Sequence, residues 1–537
     1  MPQMTLSTPQ SIDPVPASFN FASYVTAPHA TRAAEHIALT MITGADIEQW
    51  TWAQIWARMC AWQDVLQNYD LRPGSRIVLA LPNCPDIPAL MLAAGALGLV
   101  PVVLSSQLRE ETLRDISRDC GAALRIDGTP HDAPQPHAAA FGGEGAAILR
   151  LADVETQLSN AEYNNKIPKY IESLANNPAY MVYTSGTTGA PRGVVHAHRA
   201  VWARRRMFDG WTGITAQDTV LHSGQLNWTY AMGIAIFDAW AVGARSIIYE
   251  GPRSAATWAR LIREHSATIF AAVPSLYRQL CRDIPTLKED TKSLRHALCA
   301  GEPLPIPLWK QWRAITHKPL YEALGMSECS TYISSGPDTP TRPGSPGRPQ
   351  KGRRVAILPH PSKDTTPLPP NTVGMLAIHQ SEPGLMLGYY DNPDANKKAM
   401  RGDWFLTGDL AALDESGYLQ YHGRSDDTII SLGYRVGPAE VEAALIQHPD
   451  IREVAVAPYS PREDLTLVCA HLILEAHTAW SPALEADIRA FAQQHLAEYK
   501  QPKVYAVHMD FPRNRSGKVV RKKLRYADAI HRSASRS

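Results

Sequence analysis

Short apolar runs, each followed by a stretch of helical length, recur along the first three quarters of the chain. Between Phe19 and Asp127 they include "SRIVLALPN" and "VPVVLSS". From Ala179 the pattern resumes with "AYMVYTS", "GARSIIYEG", "ATIFAAVPS" and "LRHALCAGE". Runs this short, bounded by Gly and Pro and alternating with helices, predict an α/β layer structure with largely buried strands. Residues 128–177 are poor in such runs and read as a surface segment. A Pro-rich patch, "PDTPTRPGSPGRPQKG", leads into "TVGMLAIHQ" and "GYLQYHGR", which read as strands.

The texture changes after Arg424. "GPAEVEAALIQHP" reads as a helix, "EVAVAPYS" and "LTLVCAHLIL" as strands, and "SPALEADIRAFAQQHLAEY" as a helix with Ser481 as N-cap and Pro482 at its first position. "KVYAVHMDFP" is one more strand before the polar loop "RNRSGK". A compact α+β unit of ordinary domain size is expected there.

The apolar run Ile87–Leu104 has transmembrane length, but Pro101 splits it and small residues dilute it, so a buried helix and a buried strand are expected and no membrane span. The N-terminal stretch lacks a basic segment followed by an apolar one, so it reads as a loose arm, not a signal peptide. A net charge of +1 disfavours nucleic acid as a partner. The basic tail Arg521, Lys522, Lys523 and Arg525 has no interleaved aromatics and reads as a solvated face. Seven scattered cysteines without a CxxC pair point to reduced thiols in a cytoplasmic protein, with neither disulfides nor a zinc site.

The chemistry concentrates in "YTSGTTGAPRGVV", Tyr183–Val195. Glycines that free backbone amides, set among hydroxyls, are the means by which a loop after a strand holds phosphate. The stretch is not a GxxxxGK[ST] loop, because the fifth residue after Gly186 is Pro191 and after Gly189 is Val194. It does resemble the phosphate loop of the adenylate-forming enzymes: acyl- and aryl-CoA ligases, peptide-synthetase adenylation domains and luciferases. Its texture is closest to the benzoate-type and medium-chain acyl-CoA ligases. Further motifs follow in that family's order: "LCAGEPL", "YEALGMSECS", "WFLTGDLAALDESGYLQYHGRSDD", "SLGYRVGPAEVEAAL" and "PRNRSGKVVRKKLR".

The resemblance implies the adenylate-forming fold: a large multi-layered N-terminal domain (1–424), a hinge (425–427) centred on Asp426, and a small mobile α+β C-terminal domain (428–537). It implies ATP contacts from Thr184, Ser185, Gly186, Thr187, Thr188, Gly189 and Arg192. The backbone of Gly301, Glu302 and Pro303 would line the adenine side, and Asp409 and Arg424 would hold the ribose. It gives catalytic roles to Lys518, Ser327 and Glu328. Glu328 would help hold Mg²⁺, for which a carboxylate oxygen is apt. Gly433 and Arg435 would serve the CoA step. The acyl pocket is expected from Asn227, Trp228, Tyr230 and Gly233 with Ala300 and Gly325, Gly325 standing where acetate-specific relatives carry a Trp. No cation for a second carboxylate is evident, so an aromatic or medium-sized monocarboxylic acid fits. Arg192 departs from the family's Lys, Ser327 from its Thr, and Leu324 from an aromatic.

The implied activity is ATP-dependent acid–CoA ligation, in a monomer or homodimer. The alternatives are loading of a carrier protein and a non-catalytic nucleotide-binding homologue.

Overall fold

The apolar runs become the inner strands of two sheets in a computed structural model of the protein, which describes residues 14–128, 146–164, 166–185, 191–431, 434–462, 465–513 and 519–532. The seven-stranded sheet runs Gly388–Tyr389, Pro191–Ala197, Pro178–Ser185, Val100–Val103, Arg76–Ala80, Leu124–Asp127, Ala147–Arg150. Its middle pairings are parallel. The nine-stranded sheet has Ile269–Ala272 between His296–Ala300 and Thr219–His222, with the hairpin Ile37–Thr43 and Asp46–Thr51 at one edge. The segment 128–177 is not only surface. Ala147–Arg150 adds an edge strand, and Leu151–Leu158 is a helix. That strand is short and half exposed, so its apolar pattern is weak. The stretch 129–145 and the N-terminal arm, residues 1–13, lie outside the described residues.

The helices Phe21–Arg32, Trp52–Gln67 and Asp86–Ala96 pack into the main core with strands of both sheets. The last of these is buried at every residue, and Val100–Val103 follows it, as the split apolar run predicts. Gly95 is needed for close packing, because a Cβ there would lie 2.3 Å from Cε1 of Phe21. No described helix is long and apolar enough to cross a membrane. All seven cysteines are free.

A five-stranded antiparallel sheet carries Gly374–His379, Trp404–Leu413 and Leu419–Arg424. The C-terminal part pairs Ile451–Arg462 with Leu465–Leu474, then adds Val504–Val507 and His531–Arg532. Ser481 caps the helix Pro482–His495 by accepting the Leu484 N–H at 3.1 Å. Arg521 is not a solvated cation. It grips Glu442 with two nitrogens at 3.0 and 2.6 Å and lies 3.5 Å from Asp427.

Burial sets one bulk property. It holds His196, His198, His296 and His471 down to about 4 and His222 to about 3. Unfolded, each would titrate near 6.5, so between roughly pH 6.5 and 4 the unfolded chain binds more protons than the folded one. This contribution to stability is complete above about pH 6.5 and is lost as pH falls toward about 4. The thermal midpoint, followed by calorimetry, should therefore drop steadily across that window. A flat midpoint would contradict the buried neutral imidazoles.

Candidate active site

The glycine-rich stretch joins two antiparallel strands, with Thr184 opposite Arg192 and Ser185 opposite Pro191. Gly186, Thr187, Thr188 and Gly189 lie outside the described residues, as does the side chain of Ser185. The Arg192 guanidinium carbon sits 5.8 Å from the Tyr389 ring centroid, within cation–π range. A planar guanidinium can lie against an aromatic face in a way an ammonium cannot, which gives a physical use for arginine here.

Tyr389 arrives on the short strand Gly388–Tyr389, which pairs with Val194 and Val195. Its hydroxyl donates to Oε1 of Glu328 at 2.8 Å. Burial and the Glu328 charge push the tyrosine pKa well up, against the opposing pull of Arg192 and Arg424, so it stays a donor. Sequence reasoning missed this residue. The turn-rich "GYYDNP" around it was the one local sign.

Glu328 and Ser327 lie between the strands Leu320–Met326 and Ser330–Ser334. The Glu328 carbonyl accepts from the Met386 N–H at 2.8 Å, and the Ser327 carbonyl is 2.8 Å from Nε2 of His196. Among the described residues the one cluster of three potential metal ligands is His448, Asp450 and Asp487, so Glu328 belongs to no all-protein cage. That fits Mg²⁺, which commonly takes one or two carboxylates and completes its shell with phosphate oxygens and water.

Asp409 and Arg424, fifteen residues apart in sequence, are direct cross-strand partners. The turn between their strands is closed by Asp414 Oδ1, which accepts from the N–H groups of Ser416 and Tyr418. Arg424 Nη1 lies 3.5 Å from Asp409 Oδ1 and donates to the Thr407 carbonyl at 2.9 Å, while Nε reaches Asp426 at 3.2 Å. Tyr421 donates to Asp409 Oδ1 at 3.1 Å. Asp409 is 6% exposed, and burial raises its pKa against the pull of Arg424. For Arg424 burial works the other way, but Asp409 and Asp426 outweigh it and hold the guanidinium firmly charged. Gly408, at φ +79°, lets the guanidinium in, since a Cβ would meet its Nη2 at 2.7 Å.

At the end of the strand His296–Ala300, Gly301 turns at φ +99° beside the Trp228 ring, and Glu302 and Pro303 follow. The Leu304 N–H donates to Glu322 at 2.9 Å, and burial lifts that carboxyl to about 7.

Beside the strands Pro178–Ser185 and Pro191–Ala197 lies a cavity of ≈ 30 Å³. Asn227 and Ser327 line it. Trp228, Tyr230, Gly233, Ala300 and Gly325, the other expected pocket residues, do not line it. Tyr230 is buried beside Trp228 at 5.2 Å and spends its hydroxyl on the Leu298 carbonyl at 3.1 Å, a core position. Ala300 is buried in its strand. Gly325 serves the strand pairing, because a Cβ would meet Ser330 O and Thr331 Cα at 2.7 Å. At Gly233 a Cβ would lie 2.3 Å from Nη2 of Arg204. One cation does stand on the wall of the cavity. Arg204 lines the cavity, ion-paired to Asp238.

The remaining expected residues belong to the C-terminal part of the sequence. Gly433, Lys518 and the side chain of Arg435 lie outside the described residues. Arg513 and Val519 form an antiparallel bridge. Glu453 holds Arg513 at 2.6 Å and lies 3.8 Å from Arg278 of the N-terminal part.

Comparison with known proteins identifies the family. The family pattern described as "AMP-binding enzyme" matches residues 27–390, and its C-terminal domain pattern matches 440–518. An uncharacterised acyl–CoA ligase of Bacillus subtilis is 29% identical over 89% of this chain and 90% of its own length. A 3-hydroxybenzoate–CoA ligase of Aromatoleum is 26% identical over 88% and 91%. The crystal structure of the anthranilate CoA ligase AuaEII with anthranoyl-AMP superposes with a TM-score of 0.83 at 25% identity, over 96% of this chain and 98% of that one. The chain belongs to the AMP-binding, adenylate-forming family of AMP-forming acid–CoA ligases.

Proposed function

We propose that the protein converts an aromatic or medium-sized monocarboxylic acid, with ATP and CoA, into its acyl-CoA. In the first half-reaction a carboxylate oxygen attacks the α-phosphorus, and the bond to the bridging oxygen breaks, releasing pyrophosphate. In the second, the CoA sulfur attacks the acyl carbon, the thiol proton passes to solvent and AMP leaves. No protein nucleophile is required. The observation that carries this reading is the cluster of Arg192, Tyr389 and Glu328, whose tyrosine also feels the charge of Arg424, the partner of Asp409. Charge stabilisation of a pentavalent phosphorus is what such a set supplies.

In this reading Asp409 and Arg424 hold the ribose, and the backbone of Gly301, Glu302 and Pro303 faces adenine. Thr184 and Arg192 stand at the phosphates with the connecting loop, and the Ser327 hydroxyl at the α-phosphate. Glu328 would share Mg²⁺ with the phosphate oxygens, and when bound the ion neutralises charge on the leaving pyrophosphate. Lys518 serves the first step. Rotation about 425–427, with Asp426 at the pivot, then withdraws Lys518 and presents Gly433 and Arg435 to CoA.

Tyr389 orients Glu328 through a charge-assisted hydrogen bond, a positioning role. Tyr389→Phe should lower kcat for adenylation by about 10- to 100-fold, the worth of one bond to a charged group. It should also raise the Mg²⁺ concentration for half-maximal rate, which loss of packing alone would not do. An unchanged Mg²⁺ dependence would contradict the role.

The test of the whole reading is a panel of carboxylic acids with ATP, scored for pyrophosphate release. Active acids are then offered CoA or a phosphopantetheinyl carrier protein. Release with CoA-thioester formation is expected. Thioester on the carrier alone would favour the carrier-loading alternative, and no release with any acid would favour a non-catalytic nucleotide-binding protein.

A further inference from the structure

The cavity beside Ser327 and Asn227 has a mixed wall, whose apolar side chains include Met91, Val103, Met232 and Phe237. Arg204, Ser330 and His196 stand among the polar groups of that wall, with Tyr180, Asn227, Thr229 and Ser327. Arg204 is 7% exposed and is bound through Nε and Nη2 to the two oxygens of Asp238 at 2.6 and 2.8 Å. Asp238 is fully buried, on the wide π-helical turn Met232–Asp238. Nη1 of Arg204 donates to Oγ of Ser330 at 2.6 Å. Ser330 itself sits at φ +61°, a left-handed conformation a serine adopts at a cost. These three bonds use three of the five guanidinium N–H groups, leaving one hydrogen on each terminal nitrogen.

His196 supplies the opposite polarity. Its Nε2 is 2.8 Å from the Ser327 carbonyl, so Nε2 carries the hydrogen and Nδ1 presents a lone pair. Nδ1 is buried and has no partner among the described residues, and the side chain is 2% exposed. Burial, helped by the charges of Arg199 and Arg204, keeps this imidazole neutral. A buried ion pair and an unfilled buried acceptor on the wall of one cavity are costly. A purely hydrocarbon acyl group would leave both unused.

We propose that the acid this protein activates carries a hydroxyl group on its acyl moiety, which donates to Nδ1 of His196 and accepts from the Arg204 guanidinium. Charge balance selects this group over a second carboxylate. Asp238 already neutralises Arg204, so a further anion would be uncompensated, and it would face the His196 lone pair. A methyl group would leave the same polar atoms unpaired. The inference rests on the adenylation reading and narrows its substrate class to hydroxylated monocarboxylic acids.

The test measures kcat/KM for acid-dependent pyrophosphate release across matched series. These are the positional isomers of hydroxybenzoate against methylbenzoates and benzenedicarboxylates, and ω-hydroxy alkanoates against their unsubstituted and dicarboxylic counterparts. The best acid should be hydroxylated, and it should exceed its methyl and carboxyl counterparts by about 10²-fold or more, as sites built to bond a hydroxyl do. The double variant Arg204→Met/Asp238→Leu removes both charges together and should collapse that ratio. ATP binding by the variant reports its folding, and Ser330→Ala, which keeps the ion pair, should lower the ratio by a smaller factor. A methylated, unsubstituted or dicarboxylic acid used as well as the hydroxylated one would overturn the inference and leave adenylation standing. A ratio unchanged in a folded double variant would also overturn it. Silence with every acid would overturn both.

Discussion

Lys518→Ala is expected to lower acyl-adenylate formation by about 10²- to 10³-fold, the usual loss when one transition-state charge donor is removed. The same variant should convert supplied acyl-adenylate and CoA to thioester within a few-fold of the wild-type rate. A lysine ammonium is a compact point charge on a flexible stem, suited to pair with a carboxylate and an α-phosphate together. No such charge is needed when a thiol attacks an acyl carbon and AMP departs. The residues beside the lysine loop fit an approach to the nucleotide side in the first step. Arg513, bridged to Val519, shares Glu453 with Arg278, and Arg278 and Arg513 both feel the charge of Glu302. Single-turnover measurement of each half-reaction separates the outcomes. Equal losses in both would remove Lys518 from its assigned step.

Asp409→Ala should raise KM for ATP by about 10- to 100-fold, since hydrogen bonds to a charged group are worth about 1.5–3 kcal/mol. The telling readout is discrimination between ATP and 2′- or 3′-deoxy-ATP. The wild type should prefer ATP, and the variant should treat the nucleotides nearly alike. A merely structural aspartate would lose rate with both to the same degree and keep the preference. Some loss of stability is also expected, because Arg424 would keep Asp426 as its carboxylate but lose the buried one.

The α/β alternation was legible because buried strands need unbroken apolar runs, and "SRIVLALPN" or "ATIFAAVPS" has no competing reading. The edge strand Ala147–Arg150 was not, because an exposed four-residue strand buries too little to leave a pattern. The spacing of Asp409 and Arg424 was visible as a motif, but only the strand register explains it, through a turn that folds the two residues opposite each other. Tyr389 meets Arg192 and Glu328 from distant parts of the chain, and no local periodicity records such a meeting. Arg204 was hidden for a related reason. It begins a run of three arginines, and each takes a different partner. Arg204 pairs with Asp238, Arg205 lies over Trp202 at 4.3 Å, and Arg206 reaches Glu382 at 2.5 Å.

The central claim is that the protein makes an acyl-adenylate before any thiol takes part. Isotope exchange between labelled pyrophosphate and ATP, run with acid and without CoA, tests it most directly. The account predicts exchange that depends on the acid, persists without CoA and is accompanied by AMP once CoA is added. Exchange that requires CoA, or nucleotide turnover that yields ADP, would contradict it.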